Sequence, residues 1–114
     1  MTDCLFCRIV AGEIPAERVY EDANLIAIRD INPQAPVHIL LLSRKHLASI
    51  AEIDLADPVL MHTLAVAAAK IAVIEGIAGR GYRLLTNTGS EGGQAVAHLH
   101  FHLLGGRQMG WPPG

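Results

Sequence analysis

Three histidines alternate with bulky apolar residues in the run 98–104, close to the end of the sequence. Successive side chains of a β-strand point to opposite faces, so the run predicts a strand with its imidazoles on one face and Leu99, Phe101 and Leu103 on the other. Neighbouring imidazoles on such a strand are about 6–7 Å apart at their bases, and the outer two are about twice as far apart. A single zinc ion, with Zn–N bonds of about 2 Å, cannot easily bind all three. We therefore expect the three rings to have different roles. The alternative is a half-buried strand whose polar face happens to carry histidine.

Composition and charge narrow the class of protein. The 114 residues fit a single domain, 1–114, and its core is aliphatic because 51% of the residues are hydrophobic and only 4% are aromatic. The formal net charge is −2 and Arg44–Lys45 is the largest basic cluster, so we expect no nucleic-acid partner. The longest helical candidate contains His62, Lys70 and Glu75, so we expect no membrane span. Without a recognisable leader at Met1, we expect a cytoplasmic protein.

The remaining sequence predicts strands in sequential pairs and two separate helices. The patterns predict a helix at 4–11, a hairpin of strands 18–20 and 25–28, a buried strand at 37–42, a helix from 57 to 76, a strand at 81–86, a glycine-rich loop at 87–94 and then the histidine strand. Asp57–Pro58 is a typical start for the long helix. This order predicts the α+β class with a largely antiparallel sheet.

The glycine-rich loop runs directly into the histidine strand, and this adjacency indicates phosphate chemistry. Several glycines allow backbone N–H groups to converge on an anion, although many such loops are only wide turns. Histidine ionises near neutral pH, so one imidazole can attack phosphorus while another donates a proton.

Cys4 and Cys7 have the Cys-x-x-Cys spacing, which in a chain without a leader indicates metal binding or redox chemistry. Together with His46 and one strand histidine they could form a closed tetrahedral zinc site. The alternative is a pair of buried thiols.

His38 lies within a strand, where the simplest interpretation is a core histidine bonded to backbone, and His62 is interpreted as facing solvent.

The sequence resembles the histidine-triad superfamily, and within it the Hint branch of nucleotide-binding proteins. The motif His-φ-His-φ-His-φ-φ, where φ is apolar, is complete at 98–104, and the resemblance extends over nearly the whole chain through the segments 12–16, 20–22, 30–38, 92–94 and 104–107. It implies a five-stranded antiparallel sheet with two helices, and a homodimer in which the sheet is continuous and the tail 105–114 reaches toward the partner.

The resemblance also implies a function for individual residues. Members bind purine nucleoside monophosphates and hydrolyse phosphoramidates and acyl adenylates. By analogy His100 is the nucleophile at the α-phosphorus, and His102, His38 and Asn87 contact the phosphate. Asp30 matches the carboxylate that binds the ribose hydroxyls. The base pocket would be formed by Phe6, Ile9, Ile28, Ile31 and Leu40, and other nucleotide-binding positions would be Gly93, Gln94, Ala95, Val96 and Trp111.

In bacterial-type members a structural zinc is held by two cysteines and two histidines, which correspond here to Cys4, Cys7, His46 and His98. One position departs from the pattern, because many Hint proteins have serine where this chain has Ala95. A serine hydroxyl would bond the phosphate or the leaving group, so we expect activity with altered substrate preference.

Three functions remain open at this stage. The first is a nucleoside phosphoramidase that acts through covalent His100. The second is a nucleotide-binding regulatory or scaffold protein with little physiological catalysis. The third is a metalloenzyme in which the triad activates water on zinc.

Overall fold

The computed structural model describes residues 3–53 and 57–114, which form one five-stranded sheet and two α-helices. The elements in chain order are α1 (Leu5–Val10), β1 (Arg18–Glu21), β2 (Leu25–Arg29), β3 (Val37–Ser43), a short 3₁₀ helix (Ile50–Glu52), α2 (Pro58–Ile74), β4 (Tyr82–Leu85) and β5 (His100–Gly105). The strand order is β1-β2-β3-β5-β4, and all neighbours are antiparallel. The predicted α+β class and the antiparallel five-stranded sheet are confirmed. Across the same residues, no helix has the length and apolar character needed to cross a membrane.

Local sequence signals explain where the first elements begin and end. The carboxylate of Asp22 accepts hydrogen bonds from the backbone N–H groups of Asn24 and Leu25, at 2.8 and 3.1 Å, and so closes the β1–β2 hairpin. At the start of α2, Asp57 accepts from the N–H of Leu60 as an N-cap, and Pro58 occupies the first helical turn. The expected hairpin and long helix are therefore both present.

The two helices cover opposite faces of the sheet. Leu64 and Ile71 of α2 belong to the larger core cluster, together with Leu99, Phe101 and Leu103 from the apolar side of the histidine run. On the other face, α1 contributes to a second cluster consisting of Phe6, Ile9, Ile26, Ile28, Leu40 and Leu42. Cross-strand partners point to the same face of a sheet, and His100 and His102 pair with residues of this second cluster. The histidines therefore lie beneath α1.

The histidine strand begins two residues later than the sequence predicts, at His100 rather than His98. The regular β3–β5 ladder ends at the pair Leu42–His100, and beyond it the N–H of Ser43 reaches the carbonyl of Leu99 only at 3.4 Å. Instead, the N–H of Leu99 donates to the carbonyl of Leu47 at 2.6 Å, and Nε2 of His98 donates to the carbonyl of Ser43 at 2.7 Å. Consequently His98 faces the loop after β3, apart from the other two imidazoles.

Candidate active site and metal cluster

His98 lies in a cluster with Cys4, Cys7 and His46, and the potential ligand atoms of these four residues all lie within 4.8 Å of one another. His98 is fully buried, whereas His46 is exposed, so the cluster extends to the surface on one side. Because Nε2 of His98 bonds to a backbone carbonyl, this nitrogen carries the ring proton, and Nδ1 presents its lone pair to the cluster. The backbone thus fixes the tautomer that a metal ion requires.

The distances within this cluster fit a tetrahedral zinc site. Nδ1 of His98 lies 3.2 Å from Sγ of Cys4, 3.5 Å from Sγ of Cys7 and 3.2 Å from Nδ1 of His46, which is itself 3.2 Å from Sγ of Cys7. Tetrahedral zinc with its usual Zn–N and Zn–S bond lengths would separate its ligand atoms by about 3.3–3.8 Å. The four residues therefore form a possible metal-binding cluster with the donor set and spacing that zinc requires.

Helix α1 positions both thiols. Cys4 is the N-cap of α1, and its Sγ accepts a hydrogen bond from the N–H of Cys7 at 3.3 Å. Burial, followed by the hydrogen bond and charge of Cys4, raises the pKa of the Cys7 thiol above its usual value. The free cluster thus favours the protonated thiol, and a bound cation would favour the thiolate and release the proton.

The ring of His100 is held in the tautomer of a nucleophile. Its Nδ1 donates to the backbone carbonyl of His98 at 2.6 Å, so Nε2 carries the free lone pair. The ring is buried and packs edge-on against Phe6 of α1, with centroids 4.9 Å apart. Among the described residues no side-chain nitrogen or oxygen is buried without a partner, so Nε2, which has no partner among those residues, retains access to solvent.

His38 and His102 form a hydrogen-bonded pair, and the ring of His102 lies beside that of His100. The backbone N–H of Gln34 donates to Nδ1 of His38 at 3.0 Å, so the ring proton of neutral His38 lies on Nε2. Nε2 then donates to Nδ1 of His102 at 2.9 Å, which leaves the proton of His102 on its Nε2. The ring centroids of His102 and His100 are 5.1 Å apart. The ring of His102, which carries an N–H donor, therefore lies beside the ring of His100.

Asp30, His38 and His102 are close enough to be considered as a second metal cluster, but their hydrogen bonds oppose it. Nε2 of His38 lies 3.4 Å from the Asp30 carboxylate and 2.9 Å from His102. A metal ion on Nε2 would need the ring proton to move to Nδ1, where the N–H of Gln34 already donates. A proton on Nδ1 would face the N–H of Gln34, and two donors cannot form a hydrogen bond with each other. We therefore interpret Asp30, His38 and His102 as a hydrogen-bonded network.

Burial keeps the imidazoles of His38 and His102 neutral near pH 7. Desolvation lowers the pKa of His38 below its usual value, and the nearby carboxylate of Asp30 opposes this only in part. The pKa of His102 is lowered to about 4, first by desolvation and then by the like charges of His100 and His38. Both rings are thus neutral donors and acceptors at physiological pH.

An apolar cavity of about 270 Å³ lies between α1 and the sheet. Its lining includes the six residues Phe6, Ile9, Ile28, Asp30, Ile31 and Leu40, and sequence reasoning missed Leu5, Ile14, Pro15, Ala16 and Arg29. Asp30 lies at the cavity and also contacts His38. The carboxylate therefore connects the apolar cavity with the imidazoles.

The glycine-rich loop is braced by one glutamine. The side-chain oxygen of Gln94 accepts from the N–H of Gly89 at 3.0 Å, and its NH₂ group donates to the carbonyls of Ala48 and Val96 at 2.6 and 3.0 Å. Gln94 thus has a positioning role in addition to the expected nucleotide contact. In the same loop, Gly93 adopts a φ of +77°, a backbone conformation that favours glycine.

The other expected nucleotide contacts differ in how far they are buried. Val96 packs against the cluster that contains Phe6, and Asn87 is half-buried two residues after β4. Ala95 is exposed, and Trp111 on the tail is 83% exposed. Ala95 therefore has space for a longer side chain.

Sequence reasoning did not find the role of Gln34. Its backbone N–H sets the tautomer of His38, yet the residue lies in a proline-containing loop, and backbone donors leave no signal in side-chain type. The only sequence signal for this contact is that residue 34 lies four residues before His38, in the loop that leads into β3.

Taken together, the fold and site define a class of small α+β proteins in which a central antiparallel strand carries buried histidines next to an apolar pocket. The family model described as "HIT domain" matches residues 11–109, and the chain belongs to this family. The chain is also 47% identical over 112 residues to an uncharacterized HIT-like protein of Synechococcus elongatus, with 98% of this chain and 97% of that protein covered.

Solved structures agree with this assignment. A HIT family hydrolase from Legionella pneumophila superimposes with a TM-score of 0.96 at 53% identity, covering 98% of this chain and all of that chain. A HIT family hydrolase from Clostridium thermocellum has a TM-score of 0.93 at 47% identity, with 96% of each chain covered. The predicted family is therefore confirmed at the level of the HIT superfamily.

Proposed function

We propose that the protein is a purine nucleotide-binding hydrolase that cleaves nucleoside phosphoramidates and acyl adenylates through a nucleotidyl-histidine intermediate. The observation that carries the proposal is the order of groups along the site. The apolar cavity suits a base, Asp30 at the cavity suits the ribose hydroxyls, and the neutral imidazoles beyond it suit a phosphate. The solved HIT relatives described as hydrolases support the same class of reaction.

The mechanism follows from the ring tautomers. Nε2 of His100 attacks the α-phosphorus, a new N–P bond forms, and the bond from phosphorus to the leaving nitrogen or acyl oxygen breaks. An amine leaving group takes up one proton. Water then cleaves the N–P bond and releases one proton, so the net reaction consumes one water. His102 and Asn87 hold the phosphate oxygens, and the proton on Nε2 of His102 supplies a hydrogen bond there. The expected phosphate contact of His38 is replaced by a positioning role, because both of its ring nitrogens are already hydrogen-bonded, to Gln34 and to His102.

We also propose that Cys4, Cys7, His46 and His98 bind a structural zinc ion. When bound, zinc would supply a cross-link between α1 and the segment that precedes β5. The matching donor distances and the lone pair on Nδ1 of His98 support this assignment. Because His98 would bind the zinc ion, we assign the hydrolytic steps to His100 and His102. Free cysteines of this kind fit a reducing compartment, and we propose the cytoplasm.

A homodimer with a continuous sheet is part of the same proposal. Tyr82 and Leu84 on the edge strand β4 are 40% and 39% exposed, and Val73 on α2 is 68% exposed. An edge strand that carries exposed apolar side chains is suited to pairing with the same strand of a second copy. In such a dimer the exposed Trp111 would reach the partner's site.

The decisive test is hydrolysis of an adenosine phosphoramidate by the wild type and by His100→Ala. We expect the variant to lose at least about 10³-fold in kcat/KM, because the nucleophile is gone. Mass spectrometry of a reaction quenched in alkali, where the N–P bond of a modified histidine is stable, should detect an AMP adduct on the wild-type peptide that contains His100. His62→Ala is the matched control, because His62 is exposed on α2. Undiminished turnover by His100→Ala would refute the mechanism.

A second candidate is a nucleotide-binding scaffold protein without meaningful catalysis. The observation that favours it is Ala95, which supplies no hydroxyl where a leaving-group contact is expected. Tight binding of AMP together with negligible hydrolysis by the wild type would support this candidate over the hydrolase.

A further inference from the structure

His100 lies where β5 has lost its regular pairing with β4. The β4–β5 ladder ends at the pair Leu85–His102, and the same register would place Asn87 opposite His100. Opposite residues of an antiparallel ladder exchange backbone hydrogen bonds in alternate pairs, so the regular donor to the carbonyl of His100 would be the N–H of Asn87. Within residues 3–53 and 57–114, however, Asn87 forms no backbone hydrogen bond. The carbonyl of His100 therefore needs another donor.

The hydroxyl of Thr86 supplies that hydrogen bond. Its Oγ1 donates to the carbonyl of His100 at 2.7 Å, which is the usual length for a well-formed bond from a hydroxyl group. Thr86 is half-buried and directly precedes Asn87, the residue expected to contact phosphate. The bond thus ties the segment that carries this phosphate contact to the segment that carries the proposed nucleophile.

The other backbone contacts of this segment lie on the side of β3 and of the loop that follows it. The N–H of Leu99 donates to the carbonyl of Leu47 at 2.6 Å. The carbonyl of Leu99 accepts from the N–H and from the hydroxyl of Ser43, both at the long distance of 3.4 Å. Because successive residues of a strand direct their backbone groups to opposite sides, the carbonyl of His100 faces β4. On that side Thr86 replaces the missing ladder bond.

The position of this segment determines what the ring of His100 can do. Nδ1 of His100 donates to the carbonyl of His98 at 2.6 Å, and this bond leaves the lone pair on Nε2. A shift of the backbone at His100 would lengthen that bond, release the proton from Nδ1 and turn Nε2 away from the phosphorus. Attack requires close alignment of the reacting atoms, and a misplacement of about 1 Å can cost about 100-fold in rate.

We propose that Thr86 is a positioning residue for the hydrolysis and acts through the backbone of His100. The inference rests on the proposed function and adds a residue outside both the histidine motif and the apolar cavity. Thr86 does not line that cavity, where the base and ribose are expected to bind. Loss of its hydroxyl should therefore lower kcat and leave KM nearly unchanged.

Substitutions at this position separate the hydrogen bond from the shape of the side chain. Thr86→Val keeps the branched shape and removes the donor, Thr86→Ala removes the same donor as a second variant, and Thr86→Ser keeps the donor. With an adenosine phosphoramidate, we expect the first two variants to lose about tenfold in kcat, with KM within about twofold of the wild type. Thr86→Ser should stay within about threefold of the wild-type kcat. The matched control is Thr63→Val on α2, across the sheet from the histidines, which should leave kcat unchanged.

The outcomes separate this inference from the proposed function. A loss of kcat in Thr86→Val or Thr86→Ala that serine avoids supports the positioning role, and any other kinetic pattern overturns it while leaving the hydrolase intact. If the wild type hydrolyses no phosphoramidate, the proposed function fails, and nitrogen-15 NMR of the His100 ring at alkaline pH decides the inference. We then expect the proton on Nδ1 in the wild type and in Thr86→Ser, but a mixture of tautomers in Thr86→Val. An unchanged tautomer in Thr86→Val would refute the role of the hydroxyl.

Discussion

Replacing His102 by glutamine should remove a specific part of the acid sensitivity of the fold. Desolvation, followed by the neighbouring charges of His100 and His38, lowers the pKa of His102 from 6.5 to about 4 in the folded chain. Between these two values the unfolded chain binds a proton at this ring and the folded chain does not. The free energy of unfolding therefore falls as the pH falls through this window, by about 2 kcal/mol between pH 7.5 and pH 5. This is an upper limit, because the ring is only partly buried.

The measurement is urea unfolding of the wild type and His102→Gln at several pH values, with both proteins saturated with zinc. Contributions from carboxylates and from histidines away from the site are common to both proteins, so the difference between the two curves reports His102 together with its coupling to His38 and His100. We expect this difference to shrink by about 1–2 kcal/mol on going from pH 7.5 to pH 5, because only the wild type is destabilised by protonating this ring. A difference that stays constant within about 0.5 kcal/mol would show that His102 titrates normally.

Three further predictions concern the metal cluster, the loop and the core. Cys7→Ser should lose the zinc that we expect at one ion per wild-type chain, as measured by elemental analysis after gel filtration, whereas His62→Ala should retain it; equal zinc in both variants would contradict the ligand set. Ala95→Ser should raise kcat for phosphoramidates by supplying a hydroxyl at an exposed position, and unchanged kinetics would exclude a leaving-group contact there. Leu103→Ala should lower the free energy of unfolding by about 2–5 kcal/mol, because Leu103 is fully buried between the sheet and α2, and a loss below about 1 kcal/mol in urea denaturation would refute that packing.

The sequence predicts the fold well where side-chain patterns reflect burial. Alternation in the histidine run correctly separates Leu99, Phe101 and Leu103, which pack against α2, from the histidines. Asp57–Pro58 correctly marks the start of α2. Patterns do not specify where ladder pairing stops, and for this reason the start of β5 was placed two residues early. They also do not reveal that the hydroxyl of Thr86 reaches the carbonyl of His100, since these two residues meet only because β4 and β5 are neighbours.

The functions of the histidines depend on backbone partners that no side-chain pattern records. Ser43 offers a carbonyl to Nε2 of His98, and His98 offers a carbonyl to Nδ1 of His100, so opposite nitrogens of these two rings carry the lone pair. At His38 the backbone partner is instead the N–H of Gln34, which reverses the role of Nδ1 and turns the ring into a donor toward its neighbour. The three rings thus present different groups to their surroundings: His98 a lone pair on Nδ1, His100 a lone pair on Nε2, and His38 an N–H donor on Nε2. The difference follows from which ring nitrogen meets the backbone and from whether its partner is a carbonyl or an N–H.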